Sequence, residues 1–525
     1  MKHLKSLRIL LVAALIIGLF SFAAMAQDEE GKYGGTFVFG RSGDSVGLDP
    51  IQVTDGESFK VTQQIYDTIV MYKPGTTEVI PGLAKDWDVS EDGTTWTFYL
   101  REGVKFHDGN PVDAEAVKWN FERWGQEDHP YHIGGEFTYY AYMFQDFPGI
   151  IESVEAVDEY TVRFQLTESQ APFLNNLAMV SFGIASPEAV MEHGEDYFKN
   201  PVGSGPFKFV EWRQGDRVIL EANEDYWGGR PYLDRVVFRS IPDNGARYME
   251  LRSGSIDMMD YINPEDVASV REDESLDLIL RPSNNVGYFA MNMAFEPFDN
   301  VLVRKAFAHA INKEALIGAF YAGLAEPAKN PLPPSLWGYN DEIEDYPYNP
   351  EKARELLAEA GYEDGFEFDF YYMPVARPYF PQPKMVAQSM QYYLSEIGVT
   401  ANLLSYDWGT YLDKYYADEL ETFLLGWTGD NGDPDNFLYV LLDQTQNNIN
   451  YKSDELHEIL IEAQRTPDQE VRTELYEKAQ VIIHNDVPWV PIAHSTPPLV
   501  KKTMVKNYVP NPTSTEKLHN VWLDQ

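Results

Sequence analysis

The chain has 525 residues and no cysteine, and that absence constrains it more than any other single feature. No disulfide can brace it, no thiolate can hold zinc or an iron–sulfur cluster, and no cysteine nucleophile is available. The fold therefore rests on buried side chains alone. Composition supplies them: 44 % of residues are hydrophobic and 14 % aromatic, which excludes wholesale disorder. At ~150 residues per domain, the length points to roughly three domains. Acidic residues outnumber basic ones 83 to 41, for a formal charge of −42. Phosphate binding needs clustered Lys and Arg, so nucleic acid is excluded as a partner.

The first residues read as a leader. Lys2, Lys5 and Arg8 precede an apolar run at 9–20, and Ala24-Met25-Ala26 follows as a small-x-small site. This is the pattern of an export signal cleaved after Ala26, and the run is too short to span ~30 Å of hydrocarbon as an anchor. No cysteine follows the cleavage point, so the expected mature protein is not a lipoprotein. No later stretch approaches the ~18 apolar residues of a membrane span. The expected location is periplasmic, and loss of three basic residues takes the formal charge from −42 to −45.

Alternating, β-branched and aromatic residues predict strands at 36–39, 95–100, 161–166, 217–220, 235–239, 287–291, 366–372, 399–404 and 422–427. Helices are predicted between them with recognisable ends. Asp113 N-caps a helix running to Trp124 that Gly125 stops, and Asn300 precedes one at 301–310. Asn349-Pro350 opens one that Gly361 closes, and an amphipathic stretch at 383–397 ends at Gly398. The irregular alternation predicts mixed α/β domains rather than a regular barrel. Joints are marked at Asp49-Pro50, 200–206 and Arg281-Pro282. Pattern alone leaves open whether the domains are contiguous or interleaved.

Catalytic signatures are largely absent: the chain has no H-E-x-x-H, G-x-S-x-G, P-loop or G-x-G-x-x-G. His129-Pro130-Tyr131-His132 sets two histidines three apart in a proline-stiffened loop and reads as structural. Carboxylates are so abundant that pairs of them say nothing about glycosidase chemistry. The cluster Gly426-Trp427-Thr428-Gly429-Asp430-Asn431-Gly432-Asp433-Pro434-Asp435-Asn436 fails as a calcium loop. Its twelfth position is Leu441 counted from Asp430 and Gln444 counted from Asp433, where glutamate is required. A turn accounts for the Gly, Asn and Asp but not for Trp427 at a strand's end beside an acid. Pro374-Val375-Ala376-Arg377-Pro378-Tyr379 follows a predicted strand, a place where ligand groups lie. A surface arginine in a stiff loop is an equal reading there.

Further stretches are spread along the chain: Ile65-Tyr66-Asp67, Pro81-Gly82-Leu83-Ala84, the run 100–109 ending Phe106-His107-Asp108-Gly109, Gly203-Ser204-Gly205-Pro206-Phe207, Asn285-Val286-Gly287-Tyr288 and Pro297-Phe298-Asp299-Asn300-Val301. With these the mature chain resembles the peptide- and nickel-type (family 5) solute-binding proteins of ABC importers. The 427–436 cluster and the Arg377-Pro378-Tyr379 loop resemble the dipeptide-binding branch. The resemblance implies an α/β, two-lobed periplasmic-binding-protein fold, class II of the large three-domain type, with mixed sheets and a two-strand hinge. After a signal peptide at 1–26, domain I would comprise 27–60, 191–283 and 497–525. Domain II would be inserted at 61–190, and domain III, the second lobe, would span 284–496. A ligand is enclosed when the hinge closes and is then delivered to permease subunits with their ATPases. The resemblance further implies a monomer without catalysis, cofactor or metal.

It also implies the site. Asp430 would meet the α-ammonium of a dipeptide and Arg377 its α-carboxylate, with Trp408 as a pocket tryptophan and Trp427, Tyr379, Gly426, Thr428 and Gly429 completing the set. A zwitterion in a closed cleft needs both charges paired, and the planar fork of arginine matches a carboxylate. Main-chain hydrogen bonds would hold the extended ligand, and a hydrated pocket would tolerate varied side chains. Relatives that take oligopeptides carry arginines between the two tryptophans. Here 408–427 holds Lys414 but no arginine, with Tyr415 and Leu424 at the matching positions, which favours dipeptides. Arg377 weighs against a nickel chelate or a sugar. Glutathione remains an alternative, as does a secreted hydrolase, and haem binding, found among relatives, is announced by no residue here.

Overall fold

Three larger sheets divide the strands in the computed structural model, which describes residues 32–133, 137–145 and 149–524. The leader expected at 1–26 lies outside the described residues. The first sheet has seven strands in the order Leu276–Leu280, Pro498–Lys502, Met258–Asp260, Thr36–Arg41, Arg235–Ser240, Arg217–Ala222 and Phe207–Arg213. Thr36–Arg41 is parallel to both neighbours, and the outer pairs are antiparallel. The second is an antiparallel sheet of Ala84–Val89, Thr95–Leu100, Thr161–Leu166 and Ile151–Asp158. The third runs Ala325–Pro327, Trp489–Ser495, Asn285–Met291, Thr422–Thr428, Glu367–Tyr371 and Thr400–Leu404, part antiparallel and part parallel. The expected α/β fold with mixed sheets is borne out.

Local chemistry explains why the legible elements form. Thr161–Leu166 buries every second residue, the period of a half-covered strand. Asn285–Met291 buries all of its residues, as a strand covered on both faces must. Asp113 accepts from the Ala116 N–H at 2.9 Å to start the helix Ala114–Gly125. Asn300 and Asn349 cap Val301–Ala310 and Pro350–Glu359 in the same way, each with a 2.9–3.0 Å bond. Gly125 lies inside the last turn rather than beyond it, and Gln126 is the C-cap. Two of the family-like stretches meet in space: the His107 backbone N–H donates to Gly203 O at 2.8 Å, and its Nε2 lies 2.9 Å from Gly205 O. Burial pushes that imidazole down to about 4, so it is neutral and serves as a backbone tie.

The chain passes from the first sheet to the third between Leu280 and Asn285, and returns between Ser495 and Pro498. The two crossings run side by side. Arg281 N–H donates to Pro497 O at 3.0 Å, and Asn285 Oδ1 accepts from Ser495 N–H at 3.1 Å. The Arg281 guanidinium is buried there and donates to Glu516 at 2.6 and 2.9 Å. One lobe thus carries the seven- and four-stranded sheets and the other the six-stranded sheet, with the paired crossings between them.

Candidate ligand-binding site

The strand Thr422–Thr428 delivers the first half of the site. Beyond it the chain turns, and Asn284 holds the turn by accepting from Gly429 N–H at 2.8 Å and donating to Gly429 O at 2.9 Å. Asn436 Oδ1 accepts from both the Trp427 indole at 3.0 Å and the Asp430 N–H at 2.8 Å, so one side chain fixes ring and acid together. Gly426 and Gly429 are needed for close approach. A Cβ at Gly426 would strike the Tyr379 ring, and one at Gly429 would strike Phe437 and Asn284. Thr428 pairs with Asn285 at the end of the ladder.

The Asp430 carboxylate accepts from Tyr139 OH at 3.2 Å, and the Tyr139 ring stacks against Trp427 with centroids 6.3 Å apart. Among the described residues it has no cationic partner. Desolvation therefore dominates, pushing its pKa from 3.8 up to about 7 against the hydrogen bonds from Tyr139 and Asn436.

Arg377 supplies the opposite charge. It lies on the loop after Glu367–Tyr371, where its backbone exchanges two 3.0 Å bonds with Phe380. Only 6 % of Arg377 is exposed. Its guanidinium lies 4.2 Å from the centroid of the Trp408 ring, an arrangement that favours a cation over a π face. Glu57 Oε1 is 3.6 Å away, and among the described residues the guanidinium makes no hydrogen bond. Burial is the largest single influence and opposes its charge, but Glu57, Tyr379, Asp55 and Tyr261 together outweigh it and raise its pKa. Trp408 opens the helix Trp408–Tyr416, which Asp407 caps by accepting from Thr410 N–H at 3.2 Å. The Trp408 indole N–H is buried without a hydrogen-bond partner among the described residues. Tyr379 is buried, and its carbonyl accepts from Tyr321 OH at 2.8 Å. Because Tyr379 packs on Gly426, it joins the arginine loop to the Trp427–Asp430 turn.

Three contributors were not legible. Tyr139 and Glu57 come from the opposite lobe, and Asn436 looked like one turn residue among many. The adjacent tyrosines Tyr139-Tyr140 and the Asp55 cap ahead of Glu57 are visible in sequence, but neither says what lies across the cleft. The lobes are shut on one another here: Asn175 Nδ2 donates to Asn431 O at 2.9 Å, and Asn431 Nδ2 to Asn176 Oδ1 at 2.7 Å. A separate cavity of about 1560 Å³ between the lobes is lined by Phe137, Tyr142, Tyr416, His457 and Arg465 among others, and by neither Asp430 nor Arg377. Desolvated charge, not volume, marks the candidate site. His129 and His132 make local backbone contacts, with Tyr131 N–H and Arg123 O.

Two lobes joined by paired crossings, with a half-buried acid and a buried arginine where they meet, define a solute-binding protein. The chain belongs to the bacterial extracellular solute-binding proteins, family 5, whose model matches residues 78–449. It is 40 % identical over 508 residues to the dipeptide-binding protein of Escherichia coli K12, covering 93 % of this chain and 95 % of that one. It is also 40 % identical over 505 residues to heme-binding protein A of Haemophilus influenzae, covering 93 % and 92 %. Among solved structures, the periplasmic binding protein DppA of Helicobacter pylori in complex with the peptide STSA aligns with a TM-score of 0.90 at 38 % identity, over 95 % of this chain and 100 % of that one. The dipeptide-binding protein of Pseudoalteromonas sp. SM9913 in complex with Met-Leu aligns with a TM-score of 0.89 at 30 % identity, over 93 % and 100 %.

Proposed function

We propose that this protein captures dipeptides outside the cytoplasm for an ABC import system. The ligand's ammonium sits on Asp430 and its carboxylate on Arg377. The lobes close about the two crossings, and the ligand passes to the permease subunits and their ATPases. One observation carries this reading: a desolvated carboxylate with no cation among the described residues shares the cleft with a guanidinium that makes no hydrogen bond there. Desolvating the Asp430 carboxylate without a cation is costly, and a ligand's ammonium removes that cost while its carboxylate fills the guanidinium donors of Arg377. The unpartnered indole N–H of Trp408 offers a further donor. The relatives named for dipeptides, and the one holding Met-Leu, support the ligand class. The tetrapeptide in the Helicobacter relative keeps a longer peptide as the second reading.

In this reading the leader is cleaved after Ala26 and leaves an untethered periplasmic monomer without catalysis, cofactor or metal. The sheets support a division into domain I (27–60, 191–283 and 497–525), domain II (61–190) and domain III (284–496). The test is calorimetry with a mixed dipeptide panel, with binding expected below ~100 µM. Failure of every dipeptide, alongside binding of a nickel chelate, an oligosaccharide, haem or glutathione, would show the ligand class to be wrong. Arg377→Ala should weaken free dipeptides by about 30-fold or more, the effect of removing one partner of a buried charge pair.

A further inference from the structure

Arg377 and Asp430 are not equivalent anchors. Asp430 has no cation among the described residues, whereas Arg377 already faces the Glu57 carboxylate at 3.6 Å. Glu57 belongs to the other lobe, in the first turn of the helix Gly56–Ile65. It is 1 % exposed and held from its own side. Its Oε1 accepts from Lys60 Nζ at 3.0 Å and Ser42 Oγ at 2.8 Å, and Lys60 in turn pairs with Asp260. Its other oxygen, Oε2, is buried and accepts no hydrogen bond among the described residues. Closure therefore brings Arg377 a counter-charge even before a ligand's carboxylate arrives, and it brings a free acceptor alongside the arginine's free donors.

Resting on the dipeptide reading above, we infer that Glu57 is a specificity-determining residue that relaxes the demand for a free carboxylate, so that the site selects amine-terminated peptides whether their carboxyl end is free or an amide. A carboxylate offers only acceptors, which suit Arg377. A primary amide, of the same shape, offers a carbonyl to Arg377 and an N–H to the unfilled oxygen of Glu57. With an amide bound, Arg377 is not left as an uncompensated buried charge, because Glu57 stays beside it. Among the described residues no cation offers such compensation at the other end, where a ligand without its ammonium leaves Asp430 desolvated, with a hydrogen bond from Tyr139 but no counter-charge.

The experiment is calorimetry on the intact mature protein with Ala-Phe, Ala-Phe-amide and N-acetyl-Ala-Phe, for the wild type and Glu57→Gln. In the wild type the amide should bind within about tenfold of the free acid, while the acetylated peptide should bind about 100-fold more weakly or worse, the scale of an unpaired buried charge. In Glu57→Gln the ratio of amide to acid dissociation constants should widen by about tenfold or more, because the ligand's carboxylate becomes the main counter-ion of Arg377. A wild type that rejects the amide as strongly as the acetylated peptide would overturn the inference, and so would an unchanged ratio in Glu57→Gln. The wild-type arm needs no variant and stands if Glu57→Gln does not fold. If Ala-Phe binds but the amide pattern fails, only the role of Glu57 is lost. If none of the three peptides binds, the dipeptide reading falls and the inference with it.

Discussion

Replacing Asp430 by Asn should make the ligand-free protein more stable while disabling it. The carboxyl titrates at about 7 in the fold against 3.8 unperturbed. At about 1.4 kcal/mol per pKa unit, keeping it ionised in the empty cleft costs at most about 4 kcal/mol, less whatever its partial solvent contact returns. The sign follows from the raised folded value. The native state holds the proton more tightly than the unfolded chain, so this group's contribution is fully present below pH 3.8 and is lost as pH rises to about 7. Asparagine keeps the shape and the acceptor for Tyr139 OH but carries no charge. Calorimetric melting at pH 8 should therefore show Asp430→Asn above the wild type by a few degrees. Titration with a dipeptide should show affinity lowered by about 30- to 5,000-fold. Wild-type affinity should itself fall by up to about tenfold per unit below pH 7, because the ammonium must displace a proton, and the variant should show no such slope. A variant that melts lower at pH 8 and still binds dipeptides with wild-type pH dependence would refute the reasoning.

Other perturbations have smaller, separable outcomes. Trp408→Ala removes the ring under Arg377 and should weaken dipeptide binding by about 2- to 30-fold, the worth of a cation–π contact, with the melting temperature nearly unchanged. Gly426→Ala drives a methyl group into the Tyr379 ring and should cost about 1–3 kcal/mol of stability in chemical denaturation. The excess of acidic residues predicts self-repulsion, so the melting temperature should rise with added sodium chloride; a flat response would remove that role for the charge.

Much of the fold was legible because it is encoded locally. Thr95–Leu100 and Thr161–Leu166 begin and end where alternation predicts, and the caps at Asp113, Asn300 and Asn349 are local chemistry. Met258–Asp260 was invisible, because three wholly buried residues have no period to read. The interleaving of the first sheet was equally hidden. Pro498–Lys502 pairs with strands more than two hundred residues earlier, and nothing along the chain records that. The site divides in the same way. Asp430, Trp427 and Arg377 stood out as unusual residues at strand exits, and the family resemblance gave them roles and added Trp408. Glu57 and Tyr139 did not stand out, because a site formed where two lobes meet takes half of its contacts from residues that are ordinary in their own segments.

The central claim is that a dipeptide bridges Asp430 and Arg377, and the most direct measurement is a crystal structure of the mature protein grown with a dipeptide that binds it. The account predicts the ligand's ammonium nitrogen at about 2.7–2.9 Å from an Asp430 carboxylate oxygen and its carboxylate at similar distances from the Arg377 guanidinium. A dipeptide found instead in the cavity beside Tyr416 and His457, with Asp430 still bonded only to Tyr139 and Asn436, would contradict it.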